Sequence, residues 1–198
     1  MAIRSLKNGT FSRSLLVGNA YYLPPNFESI ATVLVGSGGS ATISFSSIPS
    51  TYDHLQLRIT AQTDRGTYGS DYNNVTFNSD TANNYARHYL GGDGSTPLTG
   101  GAGNLSYVAG GVCGTTTGGT FGHSIIDILD YANTNKFKTV RVASGNDLNG
   151  TVGGYGGEVY LLSSLWRSTT AISSITINRN SGSVYSQNSI FALYGIRG

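Results

Sequence analysis

Charged side chains are scarce in this sequence of 198 residues. Asp, Glu, Lys and Arg together make up 11% of it, against about a quarter of an average soluble domain. The formal net charge is +2, and the arginines are scattered along the chain. The sequence therefore lacks the high net charge of disordered chains and the clustered basic surface of nucleic-acid-binding proteins. We expect a folded protein with no specific nucleic-acid partner.

Cysteine and long apolar runs are also missing. The chain has one cysteine, Cys113, so it cannot form an internal disulfide, and no Cys or His spacing resembles a zinc site. No run approaches the roughly 20 apolar residues of a membrane-spanning helix, and the stretch 15–17 is far shorter than the core of a signal peptide. We expect no metal, no cofactor and no membrane partner, with synthesis in a cytoplasm.

Catalytic motifs are absent as well. No serine lies in the Gly-x-Ser-x-Gly turn of many serine hydrolases, and His54, His88 and His123 lie in or beside predicted strands. A glycosidase needs two carboxylates about 5–10 Å apart. The two glutamates, Glu28 and Glu158, come from opposite parts of the sequence. We therefore predict that the protein has no catalytic residues and is not an enzyme.

Several aspartates lie in segments predicted as loops, where carboxylates and backbone carbonyls can bind Ca²⁺. The Asp-x-Asp-x-Asp-Gly order of a calcium-binding loop does not occur. Aspartate also forms turns, because its carboxylate accepts hydrogen bonds from nearby backbone N–H groups. We interpret these residues as turn-forming, and calcium binding by a loop stays open: Asp64, Asp71, Asp80 and Asp93.

Positive charge is concentrated at the beginning of the sequence. Residues 1–27 contain three basic side chains and no acidic one, a charge of +3, whereas the other 171 residues contain nine basic and ten acidic side chains, a charge of −1. Pro24 and Pro25 oppose a helix. We predict that residues 1–28 form an extended arm that packs against the body or anchors the protein to another subunit, through these residues: Arg4, Lys7, Phe11, Arg13, Leu15, Leu16, Val17, Tyr21 and Tyr22.

Residues 29–198 show the pattern of β-strands. Leu55, Leu57 and Ile59 alternate with polar residues, which indicates a strand with one buried and one solvated face. Similar short runs are separated by clusters of Gly, Asn, Asp and Ser, and none has a sustained helical period. The sequence predicts an all-β protein, an antiparallel jelly-roll-like β-sandwich with an extended N-terminal arm.

Two local predictions concern glycine-rich segments. Residues 30–35 and 42–46 flank the run Gly36–Gly39, which favours a hairpin with a glycine turn. Residues 96–120 are rich in Gly, Thr and Ser and offer little side-chain surface for packing. We predict that residues 96–120 are mainly loops at one end of the sandwich.

Tyrosine is the most distinctive chemical feature, with 13 residues. Tyrosine rings pack in protein cores and subunit interfaces, and they can also stack on sugar rings. Tyr68, Tyr72 and Tyr155 lie in or beside polar loops. We predict these three as possible contacts to a glycan or to another subunit.

Several segments resemble virion structural proteins of tailed bacteriophages, especially those of aquatic bacteria. The segments are 1–19, 27–33, 46–56, 128–136 and 191–198. The resemblance spans nearly the whole chain, and it implies a location in the virion without fixing the position in the particle.

Two hypotheses follow from the resemblance. In the first, the chain is a capsid decoration or cement protein, anchored by its N-terminal arm to the major capsid protein. In the alternative, it is a tail-fibre, tail-tip or head-fibre module that contacts other fibre subunits and binds a glycan of the host surface. Both imply a non-enzymatic homo-oligomer, for which a trimer is suitable.

Overall fold

The computed structural model describes residues 15–17, 20–22, 26–152 and 154–198, with the backbone alone for 15–17, 20–22 and 155. No helix long and apolar enough to cross a membrane occurs in these residues. The described strands are β1 (Leu15–Val17), β2 (Ala20–Tyr22), β3 (Phe27–Leu34), β4 (Thr42–Phe45), β5 (His54–Thr63), β6 (Ser70–Phe77), β7 (Tyr85–Gly92), β8 (Pro97–Leu105), β9 (Val108–Thr115), β10 (Gly122–Leu129), β11 (Lys138–Val152), β12 (Tyr155–Trp166), β13 (Ile175–Arg179) and β14 (Ile190–Ile196).

The larger sheet has the strand order β3-β14-β5-β10-β11-β12-β7-β8, and all its described neighbours are antiparallel. Strand β5 is the third of these eight strands and pairs with β14 and β10. Leu55, Leu57 and Ile59 point into the core, whereas Arg58 and Thr60 are exposed on the outer face. The alternation predicted for this segment is therefore confirmed.

The smaller sheet has the strand order β4-β13-β6-β9 and lies over the inner face of the larger one. Strand β9 joins the two sheets, because it also pairs in parallel with the end of β5 through Gln62 and Thr63. The same strand lies against β10, β11 and β12. The strands from β3 to β14 thus form one continuous sheet folded on itself. This arrangement confirms the all-β, sandwich-like fold.

Large aromatic residues fill one part of the core between the sheets. Trp166 stacks on Tyr85, with ring centroids 6.2 Å apart, and packs against Phe77 at 5.5 Å. The indole Nε1 of Trp166 donates a hydrogen bond of 2.7 Å to the carboxylate of Asp80. The polar atom of this buried ring is therefore satisfied, as burial of an indole requires.

The predicted hairpin between residues 30–35 and 42–46 is wrong. Strand β3 pairs with β14 in the larger sheet, whereas β4 pairs with β13 in the smaller sheet. The segment Gly36–Gly39 crosses from one sheet to the other. Alternation of polar and apolar residues shows that a segment is a strand, but it does not specify the partner strand.

The prediction that residues 96–120 are mainly loops is also wrong, because they contain β8 and β9. All residues of β9 are buried. A Cβ atom added to Gly111 would lie 2.5 Å from Ser124 Oγ and from Ser144 Cβ of the larger sheet. The missing side chain therefore lets the backbone of β9 lie directly on that sheet.

The predicted arm is described in part. Strands β1 and β2 pair with each other, with Leu15 opposite Tyr22 and Val17 opposite Ala20. Strand β3 begins at Phe27, within the segment predicted as arm. Several predicted anchors lie outside the described residues, namely Arg4, Lys7, Phe11 and Arg13, together with the side chains of Leu15, Leu16, Val17, Tyr21 and Tyr22.

Candidate functional site

A cavity of about 290 Å³ lies between the two sheets where β6 and β9 approach β7 and β12. Four tyrosines line it: Tyr72 from β6, Tyr89 from β7, Tyr107 from the turn between β8 and β9, and Tyr160 from β12. All four are partly exposed. The cavity is therefore open to solvent and aromatic on several sides.

Strand alternation positions the cavity residues of β7. Tyr85, Arg87 and Tyr89 occupy alternate positions, so they share the inner face of the larger sheet. Tyr85 is fully buried in the aromatic core, whereas Arg87 and Tyr89 line the cavity. One strand thus contributes both to the core and to the candidate site.

A buried carboxylate lies behind the cavity wall. Glu158 of β12 is 5% exposed and accepts hydrogen bonds from Ser70 Oγ at 2.5 Å, from Tyr72 OH at 3.0 Å and from Tyr160 OH at 2.9 Å. Three donors compensate the loss of water around this carboxylate. The network fixes the positions of Tyr72 and Tyr160 in the cavity wall.

Burial controls the ionisation of these two tyrosines. Burial, followed by the charge of Glu158, raises the pKa of Tyr72 far above its ordinary value. Burial is also the largest cause that raises the pKa of Tyr160 to about 12. Both hydroxyl groups therefore keep their protons at neutral pH and act as donors to Glu158.

Replacing Tyr160 by phenylalanine is expected to lower the free energy of unfolding by about 1–3 kcal/mol at neutral pH, because Glu158 loses a donor. The folded-state pKa of about 12 lies above the ordinary 10.0. The wild-type stabilisation is therefore complete below pH 10 and is lost as the pH rises towards 12. Urea unfolding of both proteins between pH 8 and pH 12 measures this difference.

Tyr194→Phe, on the outer face of the larger sheet, is the control for that experiment. It should leave the alkaline loss of stability unchanged. An identical pH dependence for wild type and Tyr160→Phe would contradict the role assigned to the Tyr160 hydroxyl.

The cavity also contains a guanidinium group with unused hydrogen-bonding capacity. Arg87 Nε is buried and has no hydrogen-bond acceptor among the described residues. The ion pairs found in the described part of the chain do not involve Arg87. Its guanidinium carbon lies 5.9 Å from the ring centroid of Tyr89. A buried donor without an acceptor is unfavourable, so a ligand acceptor that reached this N–H would gain a favourable hydrogen bond.

Of the predicted tyrosines Tyr68 and Tyr72, the cavity lining includes Tyr72 alone. Tyr68 lies apart from the cavity, with its ring 4.2 Å from the guanidinium carbon of Arg65, and the side chain of Tyr155 lies outside the described residues. The sequence analysis did not predict Arg87 as a site residue. Arg87 and Tyr89 are two residues apart in a segment predicted as a strand, and this spacing indicates that they share one face.

A second candidate site is an apolar surface on the outer face of the larger sheet. Large apolar residues that are 40–64% exposed lie there in two adjacent rows. One row runs across four strands from Ile125 through Ala143 and Leu161 to Leu90. The residues of this apolar face are Leu34, Leu90, Ile125, Val159, Leu161 and Ile190.

Small residues make part of this face concave. Gly145 pairs with Val159, which pairs with Gly92 on the next strand. A groove of about 950 Å³ runs over these positions and over His123 and Ile125. The groove is broad and shallow, which suits the surface of another protein better than a small molecule.

The other candidate residues have structural contacts. Asp71 is fully buried and accepts hydrogen bonds from Thr63 Oγ1 and from the backbone N–H of Gly182. His54 Nδ1 accepts one from the backbone N–H of Asp130. No group of three or more His, Cys, Asp or Glu side chains that could hold a metal ion occurs in the described ranges.

The three remaining aspartates likewise accept hydrogen bonds from backbone N–H groups. Asp64 accepts from Val184, Asp80 from Ala82 and Asp93 from Thr96. The last two contacts lie within one short segment, as the turn-forming interpretation predicts. Asp64 instead holds a distant part of the chain.

Comparison with known proteins leaves the function open. No protein-family model matches the sequence, and no curated protein matches it. One similar solved structure is a β-fructofuranosidase from Schwanniomyces occidentalis in complex with fructosyl-erythritol, with 7% identity and a TM-score of 0.26. The match covers 92% of this chain and 38% of that one. At this low TM-score the likeness carries no information about activity.

Proposed function

We propose that the chain is a non-enzymatic structural protein of a bacteriophage virion, a capsid decoration or cement protein that works by binding other protein subunits. The observation that carries the binding role is the apolar face of the larger sheet. The resemblance of several sequence segments to phage virion proteins supports the location in a virion. The predicted arm, residues 1–28, would contact the major capsid protein.

The size of the apolar face supports a protein partner. Adjacent strands lie about 4.8 Å apart and alternate residues about 6.8 Å apart, so two rows across the eight strands of the larger sheet cover roughly 500 Å². Arg58, Thr60 and His123 occupy part of this area. Stable protein interfaces bury about 800 Å² on each partner, so residues beside the two rows would complete the interface. Exposed apolar patches of more than a few hundred Å² commonly mark interaction sites.

The occupant that fits this face is a second copy of the same chain. Next to the apolar rows, Asp127 pairs with Arg141 on the neighbouring strand, so the face carries adjacent charges of opposite sign. An interface between identical subunits must be complementary to itself. Two copies can place Asp127 of one opposite Arg141 of the other while their apolar rows meet.

Replacing Leu161 by glutamate is expected to weaken self-association at least tenfold, because a charge would be buried without a partner. Leu161 is 61% exposed, so the folded subunit should tolerate the change. Sedimentation equilibrium over a range of protein concentrations measures the association constant. The control is Thr139→Glu, an exposed position on the outer face of β11 outside the apolar rows.

Two results would contradict self-association through this face. One is a wild-type chain that stays monomeric at all concentrations. The other is a monomeric wild type that begins to associate when residues 1–25 are removed, which would mean that this segment covers the face within one chain.

Particle composition tests the location in the virion. A decoration protein should be present in many copies spread over the shell, and removal of residues 1–27 should prevent its incorporation. Quantitative mass spectrometry of purified particles gives the copy number, and labelling of the chain in electron micrographs gives its position. Absence from the particles would overturn the proposal.

A second candidate function, a fibre module that binds a host glycan, is favoured by the tyrosine-lined cavity. Sugar-binding sites combine aromatic rings for stacking with polar groups for hydrogen bonds. Carboxylate side chains are missing from the lining formed by described residues, which supports binding rather than hydrolysis. A few copies at an appendage and binding of the isolated chain to host cells would favour this candidate.

A further inference from the structure

We infer that the cavity binds a sugar residue that carries a carboxylate group, with Arg87 as the group that recognises the acid. This inference rests on the second candidate function and is independent of association through the apolar face. It specifies the chemical class of the ligand, an acidic monosaccharide unit of a glycan.

Arg87 supplies the selectivity for an acid. Its Nε–H is buried without an acceptor in the described residues, and no ion pair there neutralises its charge. A guanidinium group binds a carboxylate through two parallel N–H···O hydrogen bonds. A ligand carboxylate would therefore satisfy both the buried donor and the positive charge.

Among the described residues, Arg87 forms no ion pair with the carboxylate of Glu158 behind the cavity wall. Glu158 already accepts hydrogen bonds from Ser70, Tyr72 and Tyr160, and its side chain is buried behind the tyrosines. It does not line the cavity. The charged side chain that the cavity presents to a ligand is therefore Arg87.

Aromatic and amide groups around Arg87 suit a sugar ring. Tyr89 lies 5.7 Å from Tyr160, with the ring planes at 74°, so the two rings form adjacent walls at nearly a right angle. Asn74 and Asn180 also line the cavity, and their side chains are hydrogen-bonded to each other at 3.3 Å. Apolar ring faces contact the C–H groups of a sugar, while amides and tyrosine hydroxyl groups bind its hydroxyl groups.

The volume limits the size of the bound unit. About 290 Å³ lies just below the range of about 300–1,000 Å³ for small-molecule pockets. One pyranose ring with its carboxylate fits such a space, and a longer glycan would extend from it into solvent. The inference therefore concerns one acidic residue, at an end or a branch of a glycan.

Titration calorimetry of the full chain with glucuronic acid, glucose and inorganic phosphate tests this inference. Glucuronic acid should bind, and glucose and phosphate should each bind at least tenfold more weakly. Arg87→Gln should weaken glucuronic acid binding about tenfold or more, the size expected for loss of charge-assisted hydrogen bonds. Arg87→Lys keeps the positive charge but lacks the two parallel N–H donors of a guanidinium group. Its affinity for glucuronic acid should therefore lie between that of wild type and that of Arg87→Gln.

The matched control is Arg167→Gln, which removes an exposed arginine directly after the end of β12, outside the cavity lining, and should leave the affinity within twofold of wild type. Thermal unfolding of each variant shows that loss of binding is not loss of folding. If Arg87→Gln does not fold, the selectivity of the wild type and the affinity of Arg87→Lys still decide the question.

The failures are distinguishable. Equal binding of glucose and glucuronic acid, unchanged in Arg87→Gln, would overturn the acidic ligand and keep the glycan-binding candidate. Phosphate binding as tight as that of glucuronic acid would show a simple anion site and overturn the sugar assignment. Binding of none of the three probes would overturn the inference and remove the support that the cavity gives to the glycan-binding candidate.

Discussion

Replacing Gly114 by alanine is expected to lower the free energy of unfolding by about 3 kcal/mol or more. An added Cβ at Gly114 would overlap the carbonyl oxygen of Thr120 and lie 2.6 Å from its carbonyl carbon. Both atoms belong to the backbone, so no side-chain rotation can relieve the overlap. Strand β9 would have to move away from the segment before β10, and the joint between the two sheets would open.

Gly103→Ala is the control, since it makes the same change in the neighbouring strand β8. A Cβ added to Gly103 meets nothing within 4 Å, so the stability should change by about 0.5 kcal/mol or less. Urea unfolding followed by fluorescence of Trp166 measures both variants. Equal stability of the two variants would contradict the close approach of β9 to the larger sheet.

Replacing Leu57 by alanine is expected to cost about 2–5 kcal/mol, the range for a leucine whose removal leaves a cavity in a packed core. Leu57 is fully buried. It lies opposite Ile126 on one side and Leu193 on the other, so the cavity would form in the middle of the larger sheet. Chemical denaturation gives the loss directly, as a lower midpoint with an unchanged slope.

Thr60→Ala, on the exposed face of the same strand, separates this effect from a general change in strand propensity. It should shift stability by about 0.5 kcal/mol. A cost for Leu57→Ala as small as that for Thr60→Ala would mean that the assigned core face of β5 is wrong.

The candidate cavity shows how much of a site the sequence could predict. Tyr72 was predicted as a contact from its residue type and its place near polar loops. Its neighbours Tyr89, Tyr160 and Arg87 come from strands that are distant in sequence. Alternation predicts which residues of one strand share a face, but it does not tell which faces meet across the two sheets.

The glycine-rich segment 96–120 shows a limit of composition as a guide. Because residues 96–120 have little side-chain surface for packing, the composition predicts a loop. In strand β9 the absence of side chains is itself the condition for packing, because the backbones at Gly111 and Gly114 lie against the opposite sheet. Close backbone approach is a tertiary property that composition does not reveal.

The sequence by itself determined that this chain forms strands and that β5 has one buried face, because a period of two in polarity is a local property of the polypeptide. The tertiary structure decided the partners of β3 and β4, the approach of β9 and the assembly of both candidate sites. Pairing and register depend on contacts between distant segments. A row such as Ile125, Ala143 and Leu161 exists only after the strands are aligned.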